Sequence, residues 1–233
     1  MDRALHRNAT FALAFLFLFA FWGFWPNYFS QLLDQSNWRF HFHSMSLISW
    51  CVLMVLQAYF IRANKRATHR ATGKLSYLIV PLIIVSTILL SHYQEKPRTL
   101  DLGMFGLAIV TTLLLQFVFA YGLAIYNRHN PMIHARFMIC TALPMIPPIF
   151  DRIMVFYLLP PERIQYLPQM ISYLSVDLAL IALSVWDWKS RRNLTVFPVV
   201  LAAYILFQIP TFVAHRTASW RVLTEWFLGL PLS

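Results

Sequence analysis

Seven stretches of this 233-residue chain are longer and more apolar than a soluble core of this size can enclose. They run 9–26, 44–61, 75–92, 102–126, 133–159, 166–186 and 194–214. About 20 residues at 1.5 Å each cross the ~30 Å hydrocarbon core of a bilayer. Lipid offers the backbone no hydrogen-bond partner, so each run predicts a helix. Composition agrees, with 59% apolar and 12% charged residues, against about 45–50% and about 25% in soluble domains. Disordered, collagen-like and disulfide-stapled classes are excluded. The expected fold is all-α, a polytopic transmembrane bundle of seven helices. No repeat, low-complexity tract or linker interrupts it, which predicts a single domain over 1–233.

Short connections make neighbouring helices antiparallel, and the basic residues then set the orientation. With the N-terminus inside, twelve of the 19 Lys and Arg residues fall on the inner side and six on the outer, with Arg152 inside a span. That bias predicts N-in, C-out in a bacterial inner membrane. The net charge of +10 therefore reads as a topology signal, not as affinity for nucleic acid. Trp22, Trp25, Trp38, Trp50, Trp220 and Trp226 form the expected outer aromatic belt, and Trp186 and Trp188 the inner one. Arg3, His6 and Arg7 precede the first run as in a secretory signal, but no small-residue cleavage site follows, so an uncleaved helix is expected. Residues 27–43 and 215–233 are expected to lie at the membrane surface, the second as an interfacial helix or a cap over the outer mouth. Cys51 and Cys140 fall in apolar runs near opposite faces and read as inert thiols.

Ionisable groups inside spans need a reason, since each costs at least about 2.5 kcal/mol on insertion scales. Asp177 lies near the middle of the sixth run. Tyr166, Tyr173, Asp177 and Ser184 share its stripe. Asp177 reads either as a hydrogen-bonded structural carboxyl or as a group for a proton, cation or substrate. Asp151 and Arg152 follow Pro144, Pro147 and Pro148, which break the fifth run. They read as an internal ion pair or as a wall of a pocket, with the pocket favoured.

The histidines form two sets. His41 and His43 open the second run and His92 closes the third, so these ends should meet on the outer side, with Asp151 beyond. Imidazoles there could ligate a transition metal or haem b. Gln57 shares a face with His43 and points into the same interior. On the inner side, His69 beside Arg70 and His134 near Arg136 read as basic anchors for anionic headgroups, or as holders of an anionic ligand or haem propionate. Gly73-Lys74-Leu75-Ser76 lacks the earlier glycine and the strand of a phosphate loop. The metalloprotease, haem c attachment and serine-hydrolase motifs do not occur, and no lysine lies in the seventh run for a retinal Schiff base. That run also lacks the paired histidines of seven-span zinc hydrolases, having only His215 at its end.

The residues His43, Gln57, Arg62 and His69-Arg70-Ala71-Thr72-Gly73, followed by His134-Ala135-Arg136-Phe137-Met138, resemble those of a bacterial family of membrane proteins of unassigned function. That family is similar, more distantly, to small membrane proteins of haem-copper oxidase maturation and to b-type membrane cytochromes. The likeness spans about residues 40–155. It implies functional roles for His43, His69 and His134, supported by Gln57, Arg70 and Arg136. The topology sets His43 and His134 on opposite sides, so it favours His43 with His92 over a haem between His43 and His134.

Three functions follow as expectations. The first is a haem- or metal-linked redox protein with a quinone partner, using His41, His43 and His92 as ligands and Asp151, Arg152 and Tyr173 as tuning groups. The second is a membrane enzyme on a lipid or isoprenoid-like substrate, with Asp177 as general acid or base and Tyr173 nearby. The third is a proton- or cation-coupled transporter or an oxidase assembly factor, in which Asp177 carries the ion.

Overall fold

The computed structural model describes residues 3–159, 167–190, 195–213 and 216–232, with side chains from Asn8 onward. Among them are ten α-helices and no strand: α1 (Arg3–Gly23), α2 (Trp38–Arg62), α3 (Arg66–Gly73), α4 (Ser76–Glu95), α5 (Leu100–Tyr126), α6 (Pro131–Cys140), α7 (Ile146–Ile153), α8 (Leu167–Lys189), α9 (Val196–Val213) and α10 (Ala218–Leu228). They group into two compact units, Met1–Thr99 with Glu225–Ser233, and Leu100–Thr224. Arg163, Tyr166, Arg191, Arg192 and His215 lie outside the described residues, as do the side chains of Arg3, His6 and Arg7.

In the first unit α2 is the centre, packing against α1, α3 and α4. It begins at Trp38, earlier than the expected residue 44, because the Asn37 side chain accepts from Arg39 N at 2.9 Å and caps it. The loop expected over 27–43 is therefore shorter. It contains a 3₁₀ turn at Phe29–Gln31 and a buried Tyr28. At the other end of α2, Lys65 N donates to Phe60 O (2.8 Å) and Asn64 N donates to Ile61 O (3.1 Å). Asn64 has φ 59°. This double closure through a left-handed residue satisfies the last carbonyls and turns the chain into α3. α3 and α4 make one helical run of 30 residues, Arg66–Glu95, stepped at Lys74 and Leu75, with its apolar part in α4.

In the second unit α9 packs against α5, α6 and α8, and α7 packs against α8. The fifth apolar run, Pro131–Leu158, is a broken helix. α6 starts where Asn130 precedes Pro131, a good first helical residue because its missing N–H is not needed there. It ends at Cys140, passes through a 3₁₀ turn at Leu143–Met145 into α7, and closes with a π-helical turn at Met154–Leu158. Pro144 has no N–H to offer the Cys140 carbonyl four residues back. Tyr204 Oη supplies that donor from α9 at 2.9 Å. A neighbouring side chain thus repairs the gap a proline leaves in lipid. Ala120 and Ala124, both fully buried on one face of α5, form part of the packed core of α5, α6, α8 and α9.

Six helical runs are long and apolar enough to cross a bilayer: Trp38–Arg62, Arg66–Glu95, Leu100–Tyr126, Pro131–Leu158, Leu167–Lys189 and Val196–Val213. α1 adds a shorter apolar stretch, Asn8–Gly23. Large apolar side chains stand outward along these helices, with Leu206 64% and Leu178 54% exposed. Such surfaces are stable against acyl chains and not against water. The protein is a multi-pass integral membrane protein.

Candidate functional site

The second unit carries a linked set of polar side chains between α5, α7, α8 and α9. Tyr173 Oη lies 3.1 Å from Thr211 Oγ1, which lies 2.8 Å from Thr112 Oγ1. Thr112 Oγ1 in turn donates to the Phe207 carbonyl at 2.8 Å. A carbonyl only accepts, so a satisfying order of protons runs from Tyr173 to Thr211 to Thr112 to Phe207. That order leaves the Tyr173 oxygen able to accept. Just before Tyr173 on α8 stands Ser172, and one turn before it Gln169. Ser172 Oγ donates to Asp151 Oδ1 of α7 and lies 2.7 Å from the Pro168 carbonyl.

Gln169 is the exception in this set. It is 3% exposed and lies beside the Tyr173 hydroxyl, yet neither its Oε1 nor its Nε2 meets a partner in hydrogen-bonding geometry among the described residues. A buried amide left unpaired costs about 1–3 kcal/mol. Such a group offers both a donor and an acceptor to whatever enters beside it.

Asp177 lies one turn further along α8. It is half-buried and its Oδ1 accepts from Gln208 Nε2 of α9 at 3.0 Å. The buried line of α8 runs through Gln169, Tyr173, Val176 and Leu180, so Asp177 flanks that line where the sequence stripe had put it at the centre. Ser184 turns back onto the Leu180 carbonyl at 2.7 Å. Arg152 Nη1 donates to the Pro148 carbonyl at 3.0 Å, within the broken run. Asp151 reaches across to α8 through Ser172, beside the Arg152 charge that follows it in the chain.

The opposite end of this unit holds Arg136 and Asp187, 0% and 1% exposed. They are joined by a bidentate ion pair whose two bonds are both 2.6 Å. Arg136 Nη1 also donates to Met132 O (3.0 Å), and its guanidinium lies 5.9 Å from the Phe197 ring centre. His134 Nδ1 contacts the Ala124 carbonyl at 2.8 Å. Arg136, expected to hold an anionic ligand, holds the chain's own carboxylate.

The remaining sequence candidates belong to the first unit. His41 is engaged at both ring nitrogens, Nδ1 with Tyr28 Oη (3.1 Å) and Nε2 with Gln35 O (2.7 Å). His43 is two residues on, and two helical residues stand about 200° apart. It faces α4, 3.4 Å from both Ser86 Oγ and Thr87 Oγ1. His92 is fully buried, its ring edge-on to Phe227 at 5.4 Å and beside the backbone of Leu228 and Leu230, and neither ring nitrogen meets a partner in strict hydrogen-bonding geometry among the described residues. Beside it the C-terminal segment is tied down by Arg39 Nη2, which donates to Leu232 O at 2.9 Å. Gln57 donates to Thr72 Oγ1 at 2.7 Å and joins α2 to α3. His69 is half-buried and Arg70 exposed on α3. No group of three or more His, Cys, Asp or Glu side chains converges among the described residues.

Comparison with known proteins finds no matching family model, no matching curated protein and no matching solved structure.

Several residues of the polar set escape the hydropathy reading. Tyr204, Gln208 and Thr211 recur at helical spacing on α9, and Thr112 and Gln116 do so on α5. That periodicity is a usable signal for an inward polar stripe. Asp187 sits between Trp186 and Trp188, where a carboxylate reads as part of an aromatic belt.

Proposed function

We propose that this protein binds a membrane-soluble molecule with an apolar tail and a hydrogen-bonding head, of the quinone class. The second unit holds the head at Gln169, Tyr173 and the Asp151–Ser172 pair. The observation that carries this reading is the Gln169 amide, buried beside the Tyr173 oxygen and meeting no partner in hydrogen-bonding geometry among the described residues. A quinone carbonyl accepts from Nε2, and a hydroquinone hydroxyl donates to Oε1 or to the Tyr173 oxygen. The proline-broken α6–α7 run supports it, because broken helices in membranes commonly border binding sites.

The frame of the proposal is a seven-span protein of the bacterial inner membrane, N-in and C-out, with α1 as the first span. In that frame the head site lies toward the outer face. The likeness of the His43-to-Met138 residues to oxidase-maturation proteins and b-type cytochromes supports a quinone-linked setting. A haem or transition-metal ligand in the first unit falls to His92, whose ring nitrogens meet no partner in strict hydrogen-bonding geometry among the described residues, before His41 or His43.

A second reading, an enzyme on an isoprenoid-like substrate with Asp177 as acid or base, is favoured by one fact. The Asp177 carboxylate is half-buried in mid-span and held by a neutral amide instead of a cation.

The test is solvent extraction of the detergent-purified full chain, with chromatography of the released quinones and prenyl compounds. A near-stoichiometric quinone is expected, and Gln169→Leu lowers its content at least about tenfold, the equivalent of ~1.4 kcal/mol. A prenyl compound without a quinone ring, turned over by wild type and not by Asp177→Asn, selects the second reading. No bound apolar compound, and no rise in Tm on adding a short-chain quinone, overturns both.

A further inference from the structure

The corner where α2 turns through α3 into α4 has no role in the proposed head site. Arg62, Lys65, Arg66, Arg70 and Lys74 all stand exposed there. No Asp or Glu occurs anywhere from residue 35 to residue 94, so this stretch of the sequence is cationic throughout. The corner is also built in one orientation. On α3 the Thr72 hydroxyl accepts from Gln57 Nε2 of α2 at 2.7 Å and donates to the Thr68 carbonyl at 2.8 Å. Thr68 and Thr72 thus mark the face turned to α2. At about 100° per residue, Arg66 and Arg70 share the opposite face, and Lys74 extends the same stripe. The left-handed Asn64 turn sets where that stripe begins. Immediately beyond Lys74, the side chains of Leu75, Tyr77 and Leu78 stand exposed at the start of α4. A cationic stripe is therefore followed, within one helical turn, by an outward apolar surface.

We infer that this corner is a binding site for an anionic phospholipid, with Arg66, Arg70 and Lys74 on the headgroup phosphate and the Leu75–Leu78 surface along its acyl chains. The partner is a lipid and not a soluble anion because the cations adjoin apolar runs at both ends, Trp38–Arg62 before them and Ser76 onward after them. That depth is where phosphodiesters lie in a bilayer and where each Lys or Arg contributes to anionic-lipid attraction. Arginine suits the phosphate because its planar fork bonds two oxygens at once.

The experiment is native mass spectrometry of the detergent-purified full chain, titrated with phosphatidylglycerol or with phosphatidylcholine of the same acyl chains. Wild type is expected to retain phosphatidylglycerol at least about tenfold more strongly, with retention falling as salt rises. The double variant Arg66→Gln/Arg70→Gln loses that preference, while Lys189→Gln, at an exposed lysine of α8, keeps it. Both arginines are exposed, so the double variant is expected to keep the wild-type Tm. Should it fail to fold, the lipid preference and salt response of wild type decide the matter alone. Equal retention of the two lipids, or an unchanged preference in a folded double variant, overturns the proposal. So does displacement of phosphatidylglycerol by inorganic phosphate or an oligonucleotide, which marks a soluble-anion site.

Discussion

Arg136 and Asp187 meet as a bidentate pair, Nε to Oδ2 and Nη2 to Oδ1, both at 2.6 Å and both buried. The pair links the N-terminal half of the broken run to the end of α8. Its planar geometry explains why arginine and not lysine stands there. Removing one partner of a buried pair leaves a bare charge, at a penalty of about 3–5 kcal/mol. Asp187→Ala is expected to lower the Tm of the detergent-purified protein strongly. Arg136→Leu/Asp187→Leu together are expected to lower it far less, and a double-mutant cycle by thermal unfolding measures the coupling.

Tyr204 Oη stands within reach of two carbonyls on neighbouring helices and shares its one proton between them, Cys140 O at 2.9 Å being nearer than Gln116 O at 3.2 Å. Tyr204→Phe leaves the Cys140 carbonyl unpaired and is expected to destabilise by about 1–3 kcal/mol. Pro144→Ala in the same chain restores an N–H four residues after Cys140. The double variant is therefore expected to recover part of the loss in denaturant unfolding. Equal stability of the single and double variants would contradict the repair.

Asn64 holds φ 59° at the end of α2. A β-branched residue is strained there, and glycine is not. Asn64→Val is expected to destabilise by about 1–2 kcal/mol and Asn64→Gly to be neutral within about 0.5 kcal/mol, read from Tm shifts. Because this turn aims α3, Asn64→Val is also expected to weaken phosphatidylglycerol retention.

Gln169 separates a site from a structural defect. In the ligand-free protein, Gln169→Leu removes an unpaired buried amide and is expected to leave stability unchanged or raise it by about 1 kcal/mol. With a short-chain quinone added, wild type gains Tm and the variant does not. A destabilised, ligand-free variant would mean that the amide already has an internal partner.

The helices were legible because their causes are local. Apolar runs and the three prolines of the fifth run each act through the backbone within a few residues. The runs expected at 102–126 and 166–186 differ from α5 and α8 by three residues or fewer at each end. The second run began earlier than expected because capping by Asn37 lets the polar residues Arg39, His41 and His43 enter the helix. Hydropathy alone does not register a cap.

The chain alone therefore determined that this is a helical membrane protein, where its six long apolar helices lie to within several residues and where one of them breaks. Hydrophobicity and backbone hydrogen bonding decide those matters over a single turn or a single span. Only the tertiary structure decided the partners: Arg136 with Asp187, Tyr204 with Cys140, Asp177 with Gln208, and Gln169 beside Tyr173 without a partner in hydrogen-bonding geometry among the described residues. A side chain's partner depends on how each helix is rotated and shifted against its neighbours. That choice is made by packing between segments far apart in the chain, 64 residues for Tyr204 and Cys140, and no local pattern encodes it.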